Sequence, residues 1–254
     1  HKSIFERADE HGLICFSSPF DETAVDFLET LNAQIYKIAS FEITHLPLIA
    51  KVAKTGKPMI ISTGMATLGD IESAVNTARK NGCRDIVLLK CTSTYPAEAI
   101  NSNIKTIPHL ESMFKTEVGL SDHTKGLGVA IASIALGASV IEKHFTLSRG
   151  DGGVDSDFSM EPDEFKLLVE EVSRAYKALG GVTYGPTKDE KKSLIFRRSI
   201  YVSEDIEVGD VFTEKNLRIV RPGDGAEPKL IYELLGKKST RQLKRGTPFS
   251  LDFS

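Results

Sequence analysis

Short, mostly unbroken apolar runs recur through the first 146 residues, and stretches with helical spacing separate them. The runs are residues 13–18, 35–39, 58–63, 85–92, 117–121 and 140–145. Apolar runs without strict alternation are expected where a strand is covered on both faces, as in a parallel sheet. Residues 2–10, 22–31, 68–81 and 162–179 carry helical spacing. Asn81-Gly82 and Thr55-Gly56-Lys57-Pro58 supply helix stops, since glycine enters the left-handed region freely and proline cannot continue a helix.

Six β/α units in series fit either a doubly wound sheet or a (β/α)8 barrel. The polar residues favour the barrel. Each run ends in a polar or ionisable cluster: Ser17-Ser18, Lys37 with Ser40, Ser62-Thr63, Thr92-Ser93-Thr94-Tyr95, Ser121-Asp122-His123, and Glu142 with His144. A doubly wound sheet concentrates its site at one switch point, whereas a barrel gathers it from many strand ends. No Gly-x-Gly-x-x-Gly turn follows the first run. The expected fold is therefore α/β, a TIM barrel lacking its first two β/α units, with those units expected ahead of residue 13. The expected barrel domain is 1–180. Residues 181–193 read as a linker from their Gly-rich start. Residues 194–254 change to short strands and turns, at 198–202, 208–212, 217–220 and 246–249, and form a small β-rich domain.

Composition narrows the function. Of 254 residues, 41% are hydrophobic and 26% charged, the balance of a globular protein. A net charge of −3 argues against a nucleic-acid partner, which calls for a concentrated basic face. The basic residues Lys237, Lys238, Arg241, Lys244 and Arg245 read as a solvated face. The small-apolar run 129–141 falls short of the ~20 residues of a membrane span, so no membrane partner is expected. Cys15, Cys83 and Cys91 form no CxxC pair, which fits a reducing cytoplasmic compartment.

The sharpest candidate chemistry is a pair of histidines 21 residues apart, His123 and His144, each closing an apolar run beside a carboxylate, Asp122 or Glu142. Consecutive parallel strands deliver their C-terminal ends to one face, so the imidazoles should meet there as a divalent-metal site. Two buried, hydrogen-bonded histidines are the plainer alternative.

Seven strings, in order, resemble the sialic acid synthase family, whose members condense phosphoenolpyruvate with an amino sugar. They are Ser17-Ser18-Pro19-Phe20, Tyr36-Lys37-Ile38-Ala39-Ser40, Ser62-Thr63-Gly64-Met65, Cys91-Thr92-Ser93-Thr94-Tyr95-Pro96, the segment 119–124 around His123, Glu142-Lys143-His144-Phe145, and Arg221-Pro222-Gly223-Asp224-Gly225. The last lies in a tail that looks like the family's antifreeze-like (SAF) domain. The loop 151–162 looks most like the branch that makes pseudaminic acid, from phosphoenolpyruvate and a diacetamido-trideoxy hexose. The neuraminate and legionaminate branches are the alternatives. Ser93 stands where the neuraminate branch carries Asn.

The resemblance implies a role for each matching position. Lys37, Ser40, Ser62, Ser93 and Ser121 would bind phosphoenolpyruvate, a trianion that calls for fixed cationic and hydroxyl partners. His123 and His144 would hold Mn2+ or Mg2+, with Co2+ a further option. Glu142 and Asp155 would orient the sugar or a water, and Tyr95 would line the sugar pocket; these three form the candidate catalytic set. Arg221 would reach over the sugar of a partner subunit, which implies a domain-swapped homodimer. The family's catalytic carboxylate and a further lysine belong to the first two strands, so the chain by itself is expected to be inactive.

Singly, these residues have plainer readings. Lys37 could snorkel at a surface, Ser62 and Ser121 could cap strand ends, and Tyr95 could pack in the core. Arg221 could be a solvated loop residue, and Asp155 a turn residue. Another metal aldolase or hydrolase on the same barrel, and a binding protein without catalysis, are the rival classes.

Overall fold

The computed structural model describes residues 1–254, which divide into two compact units, His1–Gly180 and Gly181–Ser254. The first unit holds a five-stranded parallel sheet: β1 (Tyr36–Ile38), β2 (Met59–Ser62), β3 (Ile86–Cys91), β4 (Glu117–Asp122) and β5 (Val140–Lys143). The strands pair in chain order, β1-β2-β3-β4-β5, with no reversal. A doubly wound sheet would place an early strand in the middle and reverse there, so this order is that of a barrel. Helices α2 (Glu22–Thr30), α3 (Leu46–Ala53), α4 (Leu68–Lys80), α5 (Thr106–Phe114) and α6 (Gly128–Ile134) fill the connections, between α1 (Lys2–Glu10) and α7 (Pro162–Leu179).

Helix ends follow the local chemistry. Thr67 and Asp70 form a reciprocal capping box at the start of α4, and Asn81 caps its end before Gly82, at φ 106°. Pro162 opens α7 in its first turn, where its missing N–H costs nothing.

Strand alternation sorts side chains into two layers. Tyr36, Ile38, Met59, Ile61, Ile86, Leu88, Val118 and Leu120 face the helices and form one continuous core with Leu48, Ile49, Val75, Ala78, Ile107 and Leu110. The intervening residues Lys37, Ser62, Cys91, Ser121 and Glu142 point the other way and line a common cavity. The sheet is curved around that cavity. Four interstrand steps of about 4.8 Å would separate β1 from β5 by about 19 Å in a flat sheet. Yet Lys37 Nζ on β1 lies 3.3 Å from Glu142 Oε2 on β5. Only a sheet rolling toward closure brings those two side chains together.

The run 13–18 is not a full strand: it joins the sheet only where Ser17 bridges Tyr36, with Lys37 N–H donating to the Ser17 carbonyl at 3.3 Å. Leu13 and Ile14 are exposed, so the run has no burial to hold it flat against β1. The unit therefore shows five strands and a bridge where six strands were expected. Beyond β5 the chain turns back, and Met160 bridges Phe145 while its N–H donates to the His144 carbonyl at 2.8 Å. That return stations the loop 149–159 beside the end of β5.

The second unit is built on an antiparallel pair, β6 (Ser199–Val202) and β7 (Leu217–Val220). Ile200, Val202, Ile206, Phe212, Leu217, Leu234, Leu243 and Phe249 form its core, with Phe212 edge-on to Phe249 at 5.1 Å. The expected strand at 208–212 reduces to a bridge from Val211 to Lys238, and that at 246–249 to a bridge from Pro248 to Tyr201. The stretch expected as linker enters a 3-10 helix at its end, Glu190–Phe196. Lys237, Lys238, Arg241, Lys244 and Arg245 are all exposed, with Arg241 paired to Asp252 and Lys244 to Asp205. No helix is long and apolar enough to cross a membrane.

Candidate active site

The C-terminal ends of the parallel strands surround a cavity of about 320 Å³. Its walls include Lys37 and Ser40 after β1, Ser62 of β2, Tyr95 after β3, Ser121 and His123 at the end of β4, and Glu142 and His144 at β5. Residues from five consecutive strands thus meet on one face, as the barrel reading required.

Two polar networks organise the walls. On the β4–β5 side, Ser121 and Glu142 are register partners, and Ser121 Oγ donates to Glu142 Oε1 at 2.6 Å. The other carboxylate oxygen faces Lys37 Nζ at 3.3 Å, and the lysine is nearly buried. Lys37 is therefore an inward cation with a fixed partner, not a snorkelling surface lysine. On the β1–β2 side, Ser40 Oγ accepts the Gly64 N–H at 3.1 Å. Ser62 Oγ is buried and has no hydrogen-bond partner within the protein. A buried hydroxyl left free in a cavity wall is set to donate to an oxygen-rich ligand.

The imidazoles do meet. The His123 and His144 ring centroids are 5.2 Å apart, and the Tyr95 ring packs on His123 at 4.3 Å. His123 Nδ1 lies 2.8 Å from the Thr92 carbonyl oxygen, which can only accept. Nδ1 is thereby fixed as a donor, which leaves Nε2 as the ring nitrogen that could bind a cation. Burial opposes the charged form of His123, but the neighbouring Cys91 thiol and the Thr92 carbonyl outweigh it and hold the ring above its ordinary pKa. His144 Nδ1 faces Asp155 Oδ2 at 3.5 Å. Burial and the neighbouring His123 hold His144 below its ordinary pKa, which favours the neutral, ligating form. No three His, Cys, Asp or Glu side chains are grouped to bind a metal by themselves. The two imidazoles are the nitrogen donors at the cavity, and the remaining positions on any cation there would fall to water or substrate.

One carboxylate was misplaced by sequence reasoning. Asp122, expected beside the metal, points to the helix side, because alternation turns it away from its neighbours Ser121 and His123. There its Oδ2 meets Lys143 Nζ at 3.1 Å. Ser93 does not line the cavity either. It stands behind the wall, with its Oγ 3.6 Å from Cys91 Sγ and beside Gly64. Asp155 touches the site through His144, and Arg221 is an exposed residue of the second unit.

Two site residues escaped sequence reasoning. Cys91 lines the cavity; burial pushes its thiol up, but hydrogen bonds to His123, Ser40 and Ser93 outweigh this and bring it to about 7. Phe158 is buried, with its ring 4.9 Å from that of His144 and 6.1 Å from that of Tyr95. The thiol could have been suspected from the inward register of an apolar run, but nothing in the loop's composition marked Phe158.

A barrel-ordered parallel sheet with a histidine-bearing cavity at its strand ends, followed by a small β-rich unit, is a combination that known proteins share. The chain belongs to the NeuB family, which residues 1–184 match, and residues 197–253 match the SAF domain. It is 43% identical to the pseudaminic acid synthase of Campylobacter jejuni, over 97% of this chain and 72% of that protein. It is 42% identical to the N,N'-diacetyllegionaminic acid synthase of the same organism, over 96% of this chain and 74% of that protein. The crystal structure of the spore coat polysaccharide biosynthesis protein SpsE from Bacillus subtilis superposes with a TM-score of 0.66 at 32% identity, covering 99% of this chain and 76% of that one.

Proposed function

We propose that the protein is a pseudaminic acid synthase, a transferase that condenses phosphoenolpyruvate with a diacetamido-trideoxy hexose and releases phosphate. The carrying observation is the convergence of Lys37, Ser62, Ser121, Glu142 and both histidines on one small cavity. Identity to the pseudaminic acid synthase of C. jejuni and the composition of the loop 151–162 support the choice of sugar.

In this reading C3 of phosphoenolpyruvate adds to the sugar's aldehyde carbon, water adds to C2, and phosphate departs with cleavage of the C–O bond. Lys37 and the hydroxyls of Ser40 and Ser62 bind the phosphate and carboxylate, Ser121 joins them by turning its proton from Glu142 to the ligand, and Ser93 supports them through Cys91 and the Gly64 turn. Mn2+ or Mg2+, or Co2+ in their place, held by His123 and His144, would supply Lewis-acid polarisation of the aldehyde oxygen. Glu142, steadied by Ser121 and Lys37, orients the attacking water or a sugar hydroxyl. Asp155 fixes the His144 ring, and Tyr95 forms the wall on which the sugar rests. Arg221 grips the sugar held by a partner subunit, making the working unit a domain-swapped homodimer. The three free thiols fit a cytoplasmic setting.

The test is phosphate release by the complete protein, given phosphoenolpyruvate, Mn2+ and each candidate sugar in turn. Turnover should require the sugar and favour the diacetamido-trideoxy hexose. Equal or better turnover with N-acetylmannosamine would move the assignment to the neuraminate branch. Phosphate release without any sugar would defeat the synthase reading.

A further inference from the structure

On the helix side of the sheet, directly behind the two histidines, lies a buried ion pair that the proposed reaction does not use. Asp122 and Lys143 are register partners on β4 and β5, and their side chains are each only 1% exposed. Each immediately precedes a histidine in sequence, Asp122 before His123 and Lys143 before His144. Alternation sends the histidines into the cavity and this pair the opposite way.

The pair is fully engaged. Lys143 Nζ donates to Asp122 Oδ2 at 3.1 Å, to the Thr124 carbonyl at 2.5 Å and to the Gly126 carbonyl at 3.4 Å, which uses all three of its N–H groups. Asp122 Oδ1 accepts the Thr124 N–H at 2.9 Å. A cation on β5 therefore grips the backbone on both sides of the turn that follows His123. Burying two charges costs desolvation that a well-packed apolar pair would avoid, so such a pair is poorly explained by stability alone. It does have a geometric consequence. The exits of β4 and β5 are locked to each other at the two positions from which the imidazoles project.

We propose that Asp122 and Lys143 are positioning residues that set the spacing of His123 and His144 and thereby the affinity for a divalent cation. This rests on the reading of the two histidines as metal holders. Outer partners that orient metal-binding groups are typically worth 10- to 100-fold in metal affinity.

The experiment measures Mn2+ binding to the complete protein by calorimetry, together with its thermal midpoint and its affinity for phosphoenolpyruvate without metal. Removing one charge strands the other, so the informative variant is the double Asp122→Asn/Lys143→Met, which removes both. It should bind Mn2+ about 10- to 100-fold more weakly, while phosphoenolpyruvate affinity stays near the parent's. The melt, lowered by the loss of the donor to the Thr124 and Gly126 carbonyls, should remain a single cooperative transition. Lys143→Arg, which keeps the charge but not the three-way contact, should fall in between and serves if the double variant does not fold. Mn2+ affinity equal to the parent's in a folded variant would overturn the proposal, as would a parallel loss of phosphoenolpyruvate affinity, the mark of general damage. His123→Ala separates the two layers. If that change leaves Mn2+ binding untouched, or the parent binds none, the metal reading fails and the clamp with it. If His123→Ala abolishes binding while the clamp variants bind like the parent, the clamp alone is wrong.

Discussion

The Ser40 hydroxyl accepts the backbone N–H of Gly64 at 3.1 Å, tying the exit of β1 to the exit of β2. A Cβ at position 64 would stand 2.7 Å from that hydroxyl and 2.1 Å from the hydroxyl of Ser93. Three segments thus close on a glycine because no side chain fits between them. Gly64→Ala should push both serines outward at an overpacking cost of about 1–3 kcal/mol. The KM for phosphoenolpyruvate should rise on the order of ten-fold or more, with a folded protein by circular dichroism. An unchanged KM would separate this turn from the phosphoenolpyruvate site.

The histidines make a second prediction. Replacing His123 or His144 with Ala in the complete protein should abolish metal-dependent turnover, a loss of about three orders of magnitude or more, which is about 4 kcal/mol in the barrier. Both rings line the cavity and neither belongs to the apolar core, so the melt should move little. Turnover that survives both changes at ordinary metal levels would rule the site out.

Glu142 is held by Ser121 at 2.6 Å and by Lys37 at 3.3 Å. Glu142→Gln keeps the shape but removes the charge that faces Lys37. Turnover should fall about 10²-fold or more, in the range of a lost acid–base group. Phosphoenolpyruvate should bind at least as tightly, because Lys37 then has no competing carboxylate. Weaker binding would mean that Glu142 positions the lysine instead of competing for it.

Acid should weaken the first unit through Glu29. Burial alone would raise its carboxyl, but hydrogen bonds from Lys57 Nζ at 2.6 Å and Tyr36 Oη at 2.5 Å outweigh it and hold the group below its ordinary range. A carboxyl whose folded value is depressed stabilises fully above its unfolded value, and the effect fades as pH falls through the folded one. The carboxylate is more than a third exposed, so screening limits its share to about 0–1 kcal/mol. Glu29→Gln should lower the thermal midpoint at pH 7 and converge with the parent below about pH 4. Parallel curves across that range would refute the assignment.

Arg221 tests the subunit arrangement. A guanidinium grips an amide carbonyl or a carboxylate in a fixed fork, which a lysine cannot reproduce. Arg221→Lys should raise the KM for the sugar far more than that for phosphoenolpyruvate. Mixing Arg221→Ala with His144→Ala should restore activity, because a heterodimer would contain one intact site. Mixed dimers no more active than their parents would exclude an arginine supplied in trans.

Much of this was written in local sequence. Apolar runs without alternation specified a parallel sheet, helix stops at Asn81-Gly82 and Thr55-Gly56 bounded its units, and polar residues at run ends marked the face that carries the cavity. The order of seven short strings indicated the family that residues 1–184 match. These signals are legible because they depend on near neighbours and on a two-residue period. Tertiary structure decided the rest. Whether residues 13–18 form a strand depended on what covers Leu13 and Ile14, and that is not encoded in the run itself. Asp122 and Glu142 read alike as carboxylates beside a histidine. One residue of register sent the first behind the sheet to Lys143 and the second into the cavity to Lys37. Phe158 reached His144 only because Met160 pairs with the end of β5. A sequence states which groups are present; the curvature and register of the sheet decide which of them meet.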